Sequence, residues 1–126
     1  MTANEGQIGG AHYKSEYQHW DLVLDTGMGY LEGCATKYVA RWRKKGGIED
    51  LQKALHYGVK LVETGKEKTI VSPGAKEFIL TKVSEFCVIN ECDVDQLKII
   101  RAFTLGENKI ANDLLAVYIE KVRPCA

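Results

Sequence analysis

Two prolines in 126 residues, no apolar run of bilayer length and no net charge are this chain's first features. With proline only at positions 73 and 124, nothing interrupts helical runs between them, and a polyproline linker is excluded. The absence of any stretch near the ~18 apolar residues a bilayer requires excludes a spanning helix. The start, MTANEGQIGG, has no basic segment followed by an apolar one, so no signal peptide is expected and the cytoplasm is the expected compartment. The four cysteines (Cys34, Cys87, Cys92, Cys125) form no CxxC pair and have no histidine at zinc-like spacing. All four are read as reduced thiols, with Cys34, Cys87 and Cys92 filling packing space, and no metal or cofactor is expected. No GxxxxGK[ST] loop is present, which excludes the common glycine-rich phosphate cradle. Strand-like alternation is scarce as well.

What is present is a concentration of positive charge. Between Gly33 and Lys60 stand seven Lys or Arg against two acids, Glu49 and Asp50, a local excess of five in a neutral chain. Such a field gathers anions at one face whatever the overall charge. If residues 30–45 are helical, Lys37, Arg41 and Lys44 follow at i, i+4 and i+7 and share that face. Leu31, Ala35, Tyr38 and Trp42 then form the apolar stripe, which makes Tyr38 and Trp42 core residues rather than stacking platforms for a base.

The pattern predicts an all-α protein: a helical hairpin with a basic face plus a C-terminal helical extension. A short helix over 20–26 stops at Gly27 and Gly29. The second runs near 30–45 to Gly46-Gly47, and a third runs from about Ile48 to Thr64 with Glu49 and Asp50 in its first turn. Leu51, Leu55, Gly58 and Val62 mark its apolar side. A glycine turn this short folds the two helices antiparallel. Residues 1–64 are thus one unit, 65–73 a linker closed by Pro73-Gly74, and 74–126 an extension that packs on the first unit or mediates oligomerisation. In the extension a helix over 75–88 is predicted, although KEFILTKV also reads as a strand. Asp93 caps the next helix, Gly106 ends it, and Ile110, Leu114, Val117 and Tyr118 trace a last one before Pro124.

For chemistry, the basic face suggests phosphate. Lys37 and Lys44 act as point charges and Arg41 as a bidentate fork. Lys53 and Tyr57, at i and i+4 on the third helix, complete a pocket. Asp50 orients Lys37 or Lys53, accepts a ribose hydroxyl, or serves the helix dipole. The bland alternative for Lys37 and Arg41 is a solvated face paired with Glu49 or Asp50 across the hairpin. Ahead of the hairpin, His12, Tyr13, Tyr17 and Trp20 form an aromatic arm with little helical logic, of the kind that docks on a base or a neighbouring subunit.

The ordered motifs HYK at His12–Lys14, YQHWD at Tyr17–Asp21, KYxxR at Lys37–Arg41, KKGG at Lys44–Gly47 and EDLQKAxxY at Glu49–Tyr57 resemble a small phage-encoded nucleotide-kinase-like family. Its best-known member is a podovirus deoxynucleoside monophosphate kinase without a phosphate loop, and the resemblance covers about residues 11–63. It implies a phage protein that handles nucleotides in the cytoplasm of an infected bacterial host. Three functions then compete. One is phosphate transfer between nucleotides. Another is sequestration of host immune signalling nucleotides, such as cyclic dinucleotides or ADP-ribose derivatives, by a small homo-oligomer. The third, nucleic-acid binding, is disfavoured by zero net charge and a patch confined to one hairpin. The nucleotide-binding set common to these readings is His12, Tyr13, Lys37, Arg41, Lys44, Asp50, Lys53 and Tyr57. No general base or carboxylate pair for a metal is evident in it.

Overall fold

A computed structural model describes residues 16–65 and 72–124. Among these, six helices and no strand occur: α1 His19–Thr26, α2 Tyr30–Arg41, α3 Ile48–Thr64, α4 Pro73–Ile89, α5 Val94–Thr104 and α6 Asn108–Val122. The all-α expectation holds, and the segment KEFILTKV is helical, within α4. His12 and Tyr13 of the expected aromatic arm lie outside the described residues.

Local chemistry sets the helix limits. The Asp21 carboxylate accepts the Gln18 backbone N–H at 2.9 Å at the start of α1, and Glu32 accepts that of Gly29 at 2.6 Å at the start of α2. Both satisfy donors that a helix start leaves orphaned. Ser72 caps α4 by accepting the Ala75 N–H at 2.9 Å. Pro73 is therefore the first residue of that helix rather than the end of a linker, a position where its missing N–H costs nothing. Asp93 and Gln96 form a reciprocal cap on α5, each side chain accepting the other's backbone N–H at 2.7 Å.

Helix α2 is shorter than its periodicity suggests. It gives way at Arg41 to turns over 42–47, in which the Lys44 and Lys45 N–H groups both reach the Arg41 carbonyl at 3.0 Å. Asp50, the third residue of α3, reaches back to accept the Gly46 N–H at 3.0 Å and Arg41 Nε at 3.2 Å. A Cβ on residue 46 would fall 2.2 Å from that carboxylate, and Gly47 sits at φ 63°, ψ −153°, a region in effect reserved for glycine. The KKGGxxD run is thus a hairpin turn held by one buried carboxylate.

In space α2 and α3 pair as a hairpin, α5 packs on α2, α6 on α3, and α5 pairs with α6, so these four helices close into a bundle. Helix α4 lies against α5, and α1 against α4. The core is built from Ala35 and Val39, Leu51, Ala54 and Leu61, Ile99, Ile100 and Phe103, and Ala111 and Leu115. Each large member contributes roughly 1.5–3 kcal/mol by leaving water. On α3 the buried stripe is Leu51, Ala54, Gly58 and Leu61, while Val62, expected inside, is exposed. A polar chain crosses the bundle end: Trp42 Nε1 donates to the Tyr118 hydroxyl at 3.1 Å, which donates to Asp93 at 2.7 Å. Gln96, fully buried, donates to the Val39 carbonyl at 2.9 Å. It satisfies a carbonyl near the end of α2 that the helix cannot.

Candidate functional site

On α3 the residues Glu49, Gln52, Lys53, His56 and Tyr57 recur at i, i+3, i+4, i+7 and i+8, opposite the buried stripe. With Tyr38 of α2 they line an open cleft of about 420 Å³. That is within the range of small-molecule sites, roughly 300–1,000 Å³. Tyr38 and Tyr57 face each other nearly parallel, ring centres 6.0 Å apart and planes 13° apart.

Two cations lie over the Tyr38 ring: the Arg41 guanidinium at 4.7 Å from its centre and the Lys53 ammonium at 5.5 Å. Arg41 is held twice, by stacking and by the Asp50 carboxylate, which is 2% exposed. Its Nε is committed to Asp50, whereas the terminal nitrogens have no hydrogen-bond partner among the described residues. A guanidinium fixed on one edge and open on the other is a preorganised fork for an oxyanion. The ion pair of Lys53 with Glu49, at 3.9 Å, is exposed on both sides and worth little, so Lys53 is free to turn to a ligand. Cys34 lies beside this row. Its hydrogen bond pushes the Tyr30 phenol up from its ordinary value, and its charge does the same first to Tyr57. Tyr38 and Tyr57 are thus a stacked tyrosine pair on the hairpin, with Cys34 close enough to act on Tyr30 and Tyr57.

Of the residues singled out in the sequence, Arg41, Lys53 and Tyr57 gather here with Asp50 behind them. Asp50 holds Arg41 and the turn rather than Lys37 or Lys53. Lys37 and Lys44 stand apart. Lys37 is exposed and its charge acts on His19 at the start of α1. Lys44 lies beyond the end of α2, off its register, and donates to the Asn90 carbonyl at 3.3 Å, while Arg43 donates to the Glu91 carbonyl. Lys37 and Arg41 stay one turn apart on α2, but Lys44 leaves their shared face, because the helix that would align it ends at Arg41. Tyr38, expected in the core, is half-buried and stacks at the surface; Trp42, half-buried, packs edge-on against Tyr118 at 5.7 Å. Tyr17 docks within the molecule, its hydroxyl donating to Asp25 at 2.7 Å and its ring edge-on to Phe86. Gln52 and His56, outside the expected binding set, line the cleft as well, and the polar-aromatic period of α3 is the signal that carries them. Among the described residues no group of three or more His, Cys, Asp or Glu is placed to hold a metal ion.

Comparison with known proteins adds one finding. Residues 9–58, less than half of the chain, match a protein family described as of unknown function (DUF3310). No curated protein and no solved structure matches. The resemblance to a nucleotide-kinase-like family is corrected accordingly: what residues 9–58 match is a family model with no assigned activity, and no kinase family matches. No described helix is long and apolar enough to cross a membrane.

Proposed function

We propose that the protein binds a nucleotide in the α2–α3 cleft, the base stacking on the tyrosine pair and the phosphate held by Arg41 and Lys53. One observation carries this reading: two cations and a parallel aromatic pair converge on a single ring, Tyr38, at the edge of a cleft of ligand size. Stacking supplies affinity for any flat base, roughly 1–3 kcal/mol each. The cations supply selectivity for phosphate, and Gln52 and His56 offer polar edges for the base or sugar.

Calorimetric titration with nucleoside mono- and triphosphates, ADP-ribose, cyclic dinucleotides and inorganic phosphate tests the reading. Lys53→Ala and Tyr57→Ala are the informative variants, because neither side chain is buried in the core. Loss of a charged partner of a bound phosphate is expected to cost about 1.5–3 kcal/mol, about a ten- to hundredfold weaker affinity. Binding should weaken with added salt, since the site is partly exposed. Lys37→Ala, outside the lining of the cleft, should bind as the parent does. Unchanged affinity in both cleft variants sinks the proposal. Chromatography of the bound nucleotide then separates turnover from simple retention.

A further inference from the structure

The turn that ends α4 brings two cysteines together. Asn90 is the last half-helical residue, Glu91 adopts a left-handed conformation at φ 58°, and the Cys92 N–H returns to the Cys87 carbonyl at 2.9 Å. The Glu91 N–H reaches the Val88 carbonyl at 3.3 Å, completing a Schellman motif. In that motif the side chains five residues apart meet across the turn; they are usually apolar, and here both are thiols. The backbone bond between Cys87 and Cys92 brings the two residues together across the turn, the proximity a disulfide requires. Cys87 is buried and Cys92 half-buried, so an oxidant reaches one thiol before the other.

The surroundings favour asymmetric chemistry. Arg43 and Lys44 bond to the Glu91 and Asn90 carbonyls, inside the loop that the two cysteines close. The Cys87 thiol donates to Cys92, which with the nearby cations draws the Cys92 pKa down against burial and Asp93. The same hydrogen bond, together with burial, pushes Cys87 up.

We propose that Cys87 and Cys92 are a redox-modifiable dithiol that a hydroperoxide converts to an intramolecular disulfide. The Cys92 thiolate attacks the terminal peroxide oxygen, the O–O bond breaks, and the departing alkoxide or hydroxide takes a proton from solvent. Cys92 is then a sulfenic acid. Cys87 gives up its proton and its sulfur attacks Cys92 Sγ; hydroxide leaves and is protonated to water. In sum two thiols are oxidised and the hydroperoxide is reduced to an alcohol, or to water from hydrogen peroxide, plus water. A small thiol reverses the step by exchange. Cys34, half-buried with no second thiol hydrogen-bonded to it among the described residues, has no such exit.

A single tryptic peptide, Val83–Lys98, contains both cysteines and no other. Full-length protein treated with stoichiometric hydrogen peroxide, alkylated and digested should yield this peptide two hydrogens lighter and unalkylated, with recovery after dithiothreitol. Cys92→Ser should abolish the change. Cys87→Ser should leave a Cys92 sulfenic acid that dimedone traps; should that variant fail to fold, the Cys92→Ser comparison decides alone. Oxidation that falls first on Cys34, links two chains, or leaves Val83–Lys98 fully alkylated overturns the proposal.

Discussion

Gly58 shows how one residue's lack of a side chain sets a helix contact. It is buried in the face of α3 that meets α6, and a Cβ there would fall 1.9 Å from Asn112 Oδ1 and 3.1 Å from the Phe103 ring. An exposed Gly→Ala change inside a helix normally stabilises by about 1 kcal/mol. Here overpacking opposes it, at roughly 1–3 kcal/mol. Asn112 Oδ1 and Asn108 Oδ1 are buried with no hydrogen-bond partner among the described residues, and the Asn112 amide must swing away for a methyl group to enter. Gly58→Ala is therefore expected to lower the melting temperature despite its better helix propensity. A variant as stable as the parent in thermal denaturation would show that α6 can move aside.

At the scale of the element, α1 is attached by a titratable residue. His19 shares a 2.7 Å hydrogen bond with Thr36 of α2 and packs edge-on against Phe86 of α4. Burial, reinforced by the charge of Lys37, holds its pKa down to about 4, against 6.5 for an ordinary histidine. Between those two values the unfolded chain binds a proton that the folded chain refuses, so stability falls as pH drops through that window. At most about 3 kcal/mol is involved, from 1.36 kcal/mol per pKa unit. Urea unfolding at about pH 7 and about pH 4.5 should show this loss, and His19→Gln should reduce it. If parent and variant lose stability equally, the carboxylates and not His19 govern the acid response.

For the whole molecule, the hairpin and the extension bury each other. Leu51, Ala54 and Leu61 of α3 belong to the same buried cluster as Ala111 and Leu115 of α6, and the Trp42–Tyr118–Asp93 chain bridges the two halves. Of the two expected roles of the extension, packing on the first unit is what the structure shows. Heat should therefore unfold the protein in one cooperative transition. A fragment of residues 1–65 should show little helix by circular dichroism, because its apolar stripes have nothing to pack on. A helical fragment with its own melting transition would mean that the hairpin is autonomous.

The sequence by itself determined the elements. Period-3.6 apolar spacing, Asp93 as a cap, Gly27 and Gly106 at helix ends and the paired glycines before Ile48 all act through neighbours a few residues away, so they are legible in one dimension. It also announced the basic hairpin, with Lys53 and Tyr57, which line the cleft, and Arg41, which stacks on its Tyr38. The direction of each cation was decided only in three dimensions. Arg41 turns to Tyr38 because Asp50 is buried against Gly46, and Lys44 turns to α4 because the helix that would have aligned it ends first. Such choices depend on which partner a fold brings within a few ångströms. That information lies in contacts between residues distant in the chain, and no local period carries it.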